Sequence, residues 1–129
     1  MSGLEVEIVG VPAGDVEQLK RLCSEALASV GVTDGHLAIE FVDEERIREL
    51  NRRHRGVDRP TDVLSFGIDE AGPTGGPREL GDIVICPSRT EDTGEAVVHG
   101  ALHLAGMDHE ADSGEMLALQ SELIRSRRP

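Results

Sequence analysis

The sequence predicts an α+β fold in which a small four-stranded mixed sheet packs against about four helices in the order βαβαββαα. First, short apolar or alternating runs, which are typical of strands, are interleaved with segments of helical periodicity. Second, aspartate and glycine residues stand where these helical segments begin and end. Third, the 129 residues contain no internal repeat or domain boundary, so we predict a single domain over residues 1–129.

The first half of the chain is predicted to hold two strands and two helices. Residues 4–9 alternate apolar and acidic side chains, which indicates a half-buried strand. Asp15 can cap a helix whose apolar residues follow helical spacing and which ends at Gly31. Residues 36–42 form a second strand, whose first residue, a histidine, is expected at the surface. Asp43 then opens an arginine-bearing helix.

The second half of the chain is predicted to hold two strands, two loops and two helices. The strands are apolar runs, and both helices carry apolar side chains at helical spacing. The first loop is rich in glycine and proline, so we expect it to be mobile. In chain order these elements are a strand at 63–68, a loop at 69–78, a strand at 80–86, a loop at 87–93, and helices at about 94–105 and about 113–126.

Composition limits the classes of function that fit this chain. A net charge of −12 opposes indiscriminate binding of nucleic acid, so any RNA contact must be local. The only aromatic residues are Phe41 and Phe66, which removes the stacking platform of many single-strand RNA binders. Cys23 and Cys86 fit no metal-binding pattern and indicate buried free thiols in a reducing compartment. With no signal peptide or membrane-spanning run, we expect a cytoplasmic protein without membrane contact.

The most informative stretch is 99–109, which reads His-Gly-Ala-Leu-His-Leu-Ala-Gly-Met-Asp-His and holds three of the five histidines. A helix places His99 and His103 on one face, one turn apart. Gly106 falls where a helix commonly stops, and a reversal there can bring His109 back toward the other two. Three converging neutral imidazoles would form a transition-metal site. The fourth position is then left for water, which is typical of catalytic zinc.

The residue after the first histidine separates two kinds of zinc chemistry. Metzincin proteases share this histidine spacing, but there a glutamate at that position is the general base. Here the position is Gly100, which argues against proteolysis because no side chain can take the proton. Asp108, the only acid in the motif, could orient a ligand histidine or cap the turn. Zinc alone lowers the pKa of bound water toward ~7, and a phosphodiester is then a suitable target if a cation is nearby.

Arginines supply that cation, because six of the thirteen basic residues fall within 46–59 and all six are arginine. Their planar forks suit phosphate oxygens. Three of them are expected to be solvated helix charges paired to nearby glutamates, namely Arg46, Arg48 and Arg52. The helix is predicted to run from Asp43 to about Arg53, so Arg55 should follow it. Arginines in a loop between a helix and a buried strand often face a cleft, and Arg55 is therefore a candidate for phosphate binding.

Three further motifs precede the histidines and complete a known pattern. Residues 51–56 read Asn-Arg-Arg-His-Arg-Gly, residues 60–66 read Pro-Thr-Asp-Val-Leu-Ser-Phe, and residues 80–85 read Leu-Gly-Asp-Ile-Val-Ile. The stretch 99–109 matches the pattern H-G-x-L-H-L-x-G-x-D-H at every fixed position. Over nearly its whole length the chain resembles the YbeY family of bacterial metal-dependent endoribonucleases, also called ribosomal RNA maturation factors.

The resemblance implies one zinc ion per chain, held by His99, His103 and His109, with Arg55 as the functional arginine. These four residues are therefore the predicted catalytic set. The resemblance also implies cleavage of single-stranded RNA in the maturation of ribosomal RNA, at the 3′ end of the small-subunit RNA, and a role in ribosome quality control. The implied partners are the small ribosomal subunit or its proteins, and the implied fold is the α+β fold predicted above.

The chain departs from the family pattern at two points. His54 stands where members usually carry a tyrosine beside the arginine. The segment between Ile85 and His99 is short, so the motif helix should begin only a few residues before its first ligand. A helix this short relies on packing, and we expect a shallower or more open site.

Two other functions stay open on the residues alone. One is a zincin-like metalloprotease, which Gly100 disfavours. The other is a non-catalytic ribosome-associated protein whose zinc mainly stabilises the fold. Three histidines would also accept nickel or copper, so the metal itself is not fixed by the motif.

Overall fold

A computed structural model describes residues 3–68 and 79–126, and within these ranges it confirms the predicted α+β fold and the order βαβαββαα. The predicted loop at 69–78 lies outside the described residues. The elements are β1 (Gly3–Val9), α1 (Val16–Ala28), β2 (Asp34–Phe41), α2 (Glu44–Arg55), β3 (Val63–Gly67), β4 (Glu79–Ile85), a 3₁₀ turn (Pro87–Arg89), α3 (Thr93–Leu104) and α4 (Glu115–Ser126).

The four strands form one mixed sheet in the spatial order β1-β2-β4-β3. Strands β1, β2 and β4 are parallel, and β3 runs antiparallel to β4. Among the described strands β3 pairs only with β4, so it is an edge strand, and its residues line the cleft described below.

The helices cover the two faces of the sheet unequally. Helices α1, α3 and α4 contribute to one large core, which buries side chains such as Leu27, Ile39 and Leu102. Helix α2 packs on the other face through a smaller cluster that includes Ile47 and Leu64. This arrangement leaves the end of α2 beside β3, on the same side of the molecule as the histidine motif.

Side-chain caps start three of the helices, two at the aspartates that the sequence predicts and one at Asp92, which the sequence analysis placed in a loop. Asp15 accepts a hydrogen bond from the backbone N–H of Gln18, and Asp43 accepts one from Arg46. Asp92 does the same for α3, and each bond satisfies one of the amides that a helix leaves unpaired at its start.

One sequence prediction needs correction, and the structure adds detail to two others. Arg55 does not follow α2 but is its last residue, because the stop lies at Gly56, whose φ of 72° forms a left-handed cap. The predicted loop at 87–93 contains a 3₁₀ turn. His36 lies at the surface, as predicted, with 26% of its side chain exposed, and it contacts Glu7 and Glu79 at 3.2 and 3.1 Å.

The two cysteines are buried free thiols, as predicted. Burial raises the pKa of Cys23 to about 12, so that thiol stays protonated. Among the described residues, no helix combines the length and apolar character needed to cross a membrane.

Candidate metal centre and its cleft

Helix α3 and the turn after it bring the three motif histidines together. His99 and His103 lie on one face of α3, and their ring centroids are 4.7 Å apart. The helix then ends in a Schellman motif, in which Gly106 donates to the carbonyl of His103 and Met107 donates to that of Leu102. Gly106 has a φ of 100°, a conformation that glycine adopts without a steric penalty.

The turn returns the chain so that His109 faces the helix. Its ring centroid lies 5.2 Å from that of His99 and 5.3 Å from that of His103. One candidate ligand nitrogen from each residue lies within 4.8 Å of the others, and all three side chains are half-buried. The cluster that the spacing predicts is therefore present, and it could hold a metal ion.

Two hydrogen bonds fix which nitrogen of each helical histidine is available. The Nδ1 of His99 lies 2.7 Å from Oε1 of Gln120 on α4, and the Nδ1 of His103 lies 3.0 Å from the carbonyl oxygen of Met107. Both oxygens only accept, so each Nδ1 must carry the proton in the neutral ring. The lone pair is then on Nε2, the arrangement in which an outer hydrogen bond orients a metal ligand.

The electrostatic environment also favours a neutral His103. Burial lowers the pKa of His103, and repulsion from His99 and His109 lowers it further. The Met107 carbonyl and Asp108 act in the opposite direction but do not reverse the shift. A neutral imidazole is the form that binds a metal ion.

Close packing of α3 against the sheet leaves no room for a side chain at position 100. A Cβ built at this position would lie 2.6 Å from Cγ2 of Ile83 and 3.1 Å from Oγ of Ser65. The Ser65 hydroxyl also donates to the Gly100 carbonyl at 3.2 Å. A side chain at position 100 would therefore start against the sheet, which adds a steric reason to the chemical one against a glutamate there.

Asp108 caps the turn that carries His109. Its carboxylate accepts a hydrogen bond from the backbone N–H of Glu110 at 3.0 Å. Its carbonyl accepts from Ala111 and Asp112. Of the two roles left open by the sequence, these contacts support the turn cap. The outer partner of His99 is Gln120, which sequence reasoning missed because it lies 21 residues away.

The histidines open onto a cleft of about 1090 Å³. Its walls are the end of α2, the edge strand β3, the segment after β4, and the helices α3 and α4. Arg55 lines this cleft together with His99, His103 and His109, so the four predicted site residues border the same space. Within the described ranges, Arg55 forms no ion pair.

Sequence reasoning also missed a ring pair in the cleft wall. His54 and Phe66 lie 4.7 Å apart between ring centroids, with their planes inclined by 53°. Both residues line the cleft. One of the two phenylalanines is thus at the site, although the low aromatic content indicated that no stacking surface would be found there.

The other helix arginines only partly follow the prediction. Arg46 pairs with Glu49 at 2.6 Å, as expected. Arg48 pairs instead with Asp58 of the following loop at 2.8 Å, and this contact lowers the pKa of Asp58. Arg52 is exposed and forms no ion pair with a described residue.

Comparison with known proteins assigns the family. A family model described as Endoribonuclease YbeY matches residues 11–127. Endoribonuclease YbeY of Bacillus cytotoxicus is 39% identical over 84% of this chain and 84% of its own length. The protein of that name from Rubrobacter xylanophilus is 40% identical over 95% of this chain and 96% of its own. The solution structure of Thermotoga maritima TM1509 superposes with a TM-score of 0.58 at 31% identity, covering 95% of this chain and 88% of that one. The resemblance drawn from the motifs is confirmed, and the chain belongs to the YbeY family of endoribonucleases, which are hydrolases acting on RNA.

Proposed function

We propose that this chain is a zinc-dependent endoribonuclease that cuts single-stranded RNA at the cluster of His99, His103 and His109. Family membership supports the reaction class. The observation that carries the proposal is that a three-histidine cluster and Arg55, which forms no ion pair with a described residue, open onto one cleft.

The donor set fits a catalytic zinc ion. The hydrogen bonds to Gln120 and to the Met107 carbonyl leave the Nε2 atoms of His99 and His103 free to bind a metal. Three nitrogen ligands are the number that catalytic zinc sites commonly use. When bound, the ion supplies a Lewis acid that polarises a phosphoryl oxygen and activates water.

Arg55 has the complementary role in this proposal. Its guanidinium binds the phosphate through a planar pair of N–H groups and stabilises the negative charge that develops on the phosphoryl oxygens. Its position at the end of α2, fixed by the Gly56 cap, holds the backbone of this residue at the cleft wall. Gln120 keeps the His99 ring in the orientation described above.

We further propose ribosomal RNA as the substrate, with cleavage at the 3′ end of the small-subunit RNA and a role in ribosome quality control in the cytoplasm. The net charge of −12 makes indiscriminate RNA binding unfavourable. A basic surface of the small ribosomal subunit or of its proteins would then deliver the substrate to the cleft. The family resemblance supports this assignment.

The test is cleavage of a single-stranded RNA by zinc-loaded wild type and two variants purified identically. His103→Ala should abolish cleavage, and Arg55→Gln should slow it about a hundredfold or more, the usual loss when one transition-state donor is removed. Arg53→Gln is the matched control, because it removes the same charge from α2 but does not line the cleft.

Equal cleavage by wild type and His103→Ala would refute the proposal. Circular dichroism of each variant separates loss of activity from loss of fold. A small-subunit precursor with its 3′ extension serves as second substrate, and indiscriminate cutting along it would refute the ribosomal assignment. A cyclic phosphate on the product would identify the RNA 2′-hydroxyl, rather than water, as the attacking group.

A further inference from the structure

A second cavity of about 530 Å³ adjoins the cleft on the side of the loop between α2 and β3. Arg55, Thr61 and Arg89 line both spaces, so the two are adjacent. Arg59 and Asn51 line only the second cavity. A strand that enters the cleft at the histidines can therefore continue past Arg55 toward Arg59.

The second cavity is cationic in a protein that is otherwise strongly acidic. Arg55 and Arg59 form no ion pair with a described residue. Arg89 contacts Glu44 through Nε at 3.4 Å, which leaves the other four N–H groups of its guanidinium. Three guanidinium groups around one small cavity suit an anion with several oxygens, such as a phosphate group.

The backbone of this cavity is held by a buried side chain. Asn51 is only 3% exposed, and its Nδ2 donates to the Arg59 carbonyl at 2.9 Å. Its Oδ1 is shielded from solvent and has no hydrogen-bond donor among the described residues. Asn51 therefore acts from beneath the cavity, by fixing the backbone that carries Arg59.

We propose that this cavity is a second phosphate subsite, which binds an RNA phosphate on one side of the bond that is cut. The proposal rests on the proposed function, because it extends the path of the same RNA strand. Arg59 is its diagnostic residue, since Arg59 lines this cavity but not the cleft of the histidines. Asn51 uses the backbone carbonyl of Arg59, so replacing the Arg59 side chain leaves that hydrogen bond in place.

The experiment measures binding of a short fluorescent single-stranded RNA to the full chain by anisotropy at several salt concentrations. Every chain in this experiment, the otherwise wild-type reference included, carries His103→Ala so that the RNA is not cut, and a gel confirms that it stays intact. Arg59→Gln should weaken binding about fivefold or more, and the slope of log K against log salt should fall in magnitude by about 0.7, the value for one phosphate contact on a single strand. Arg53→Gln, which changes the net charge equally, should leave affinity and slope within about twofold of the reference.

Two RNAs distinguish the sources of the phosphate. If the loss in Arg59→Gln is equal for RNA with a 5′-hydroxyl and with a 5′-phosphate, the subsite holds an internal phosphodiester. A loss confined to the 5′-phosphorylated RNA assigns it to a terminal phosphate. Equal affinities of Arg59→Gln and Arg53→Gln on both RNAs, or no binding by the reference, would overturn the subsite. Arg59-dependent binding, together with no RNA cleavage by the zinc-loaded wild type, would instead overturn the proposed function and retain the subsite.

Discussion

Gln120 is expected to control the metal affinity of a site that it does not enter. Its Oε1 accepts the hydrogen bond from Nδ1 of His99 at 2.7 Å, which holds the ring and presents Nε2 to the other histidines. In Gln120→Met the side chain keeps a similar volume but loses the acceptor. The His99 ring should then rotate more freely, and its Nδ1–H should lose a partner in a half-buried position.

The magnitude follows from the role of such outer hydrogen bonds. Removing one commonly lowers metal affinity about 10- to 100-fold. This corresponds to about 1.4–2.7 kcal/mol of binding free energy. Gln120→Glu tests the same contact in the opposite direction, because an ionised acceptor makes a stronger bond to Nδ1–H. Its zinc affinity should exceed that of Gln120→Met and reach or surpass that of wild type.

Competition with a chromophoric chelator measures the zinc affinity of each variant. Ser121→Ala is the control, since it changes a neighbouring exposed residue on α4 that forms no hydrogen bond to the three histidines. We expect zinc to bind Gln120→Met about 10- to 100-fold more weakly than Ser121→Ala. If the two affinities agree within about twofold, this role of Gln120 is refuted.

Three further outcomes are expected. Gly100→Ala should lower the free energy of unfolding by about 1–3 kcal/mol, because its Cβ would crowd Ile83; an unchanged denaturation midpoint would contradict this packing. Hydrogen bonds to Glu79 and Glu7 raise the pKa of His36 from 6.5, so its protonated ring stabilises the fold below that pH, and the contribution is lost as the pH rises through the raised pKa. Stability curves of wild type and His36→Gln should therefore converge as the pH rises above 6.5, and divergence would refute the assignment. Chelation should lower the Tm of zinc-loaded protein, because an ion at a hundredfold excess over its Kd stabilises the native state by about 2.7 kcal/mol; identical melting curves would count against a metal site.

The convergence of the histidines is predictable from the sequence because it depends on local geometry. The spacing of His99 and His103 is one helical turn, and Gly106 supplies the only reversal needed to return His109. Each of these relations spans a few residues and needs no knowledge of tertiary packing. The catalytic roles of these residues and of Arg55 stay predictions.

The outer contacts of the site are not predictable in this way. The hydrogen bond between His99 and Gln120 depends on how α4 packs against α3. The apolar periodicity of the two helices does not specify this packing. The contact of His54 with Phe66 likewise depends on α2 lying over β3. The composition shows that the chain has two phenylalanines, but it does not show where they lie. Phe66 lines the cleft because it is on β3, the edge strand of the sheet.

Acidic side chains are unevenly distributed over the two spaces that the proposed RNA strand would follow. The cleft of the histidines is lined by acidic residues, among them Asp62, Glu95 and Glu110, whereas the second cavity is lined by Arg55, Arg59 and Arg89 and by no described acidic residue. Glu5 and Glu7 are exposed on β1, whereas Arg59 lines the cavity beside β3, at the opposite edge of the sheet. At physiological salt the screening length is about 8 Å, so distant acidic groups act weakly on a phosphate held in the cleft. Arg55 and Arg59, which form no ion pair with a described residue, are then the nearest cationic groups for a phosphate in the second cavity. Lower salt should therefore strengthen both the repulsion between the acidic groups and RNA and the attraction between the arginines and phosphate. A local arginine cluster can then bind RNA even though the net charge of the protein is negative.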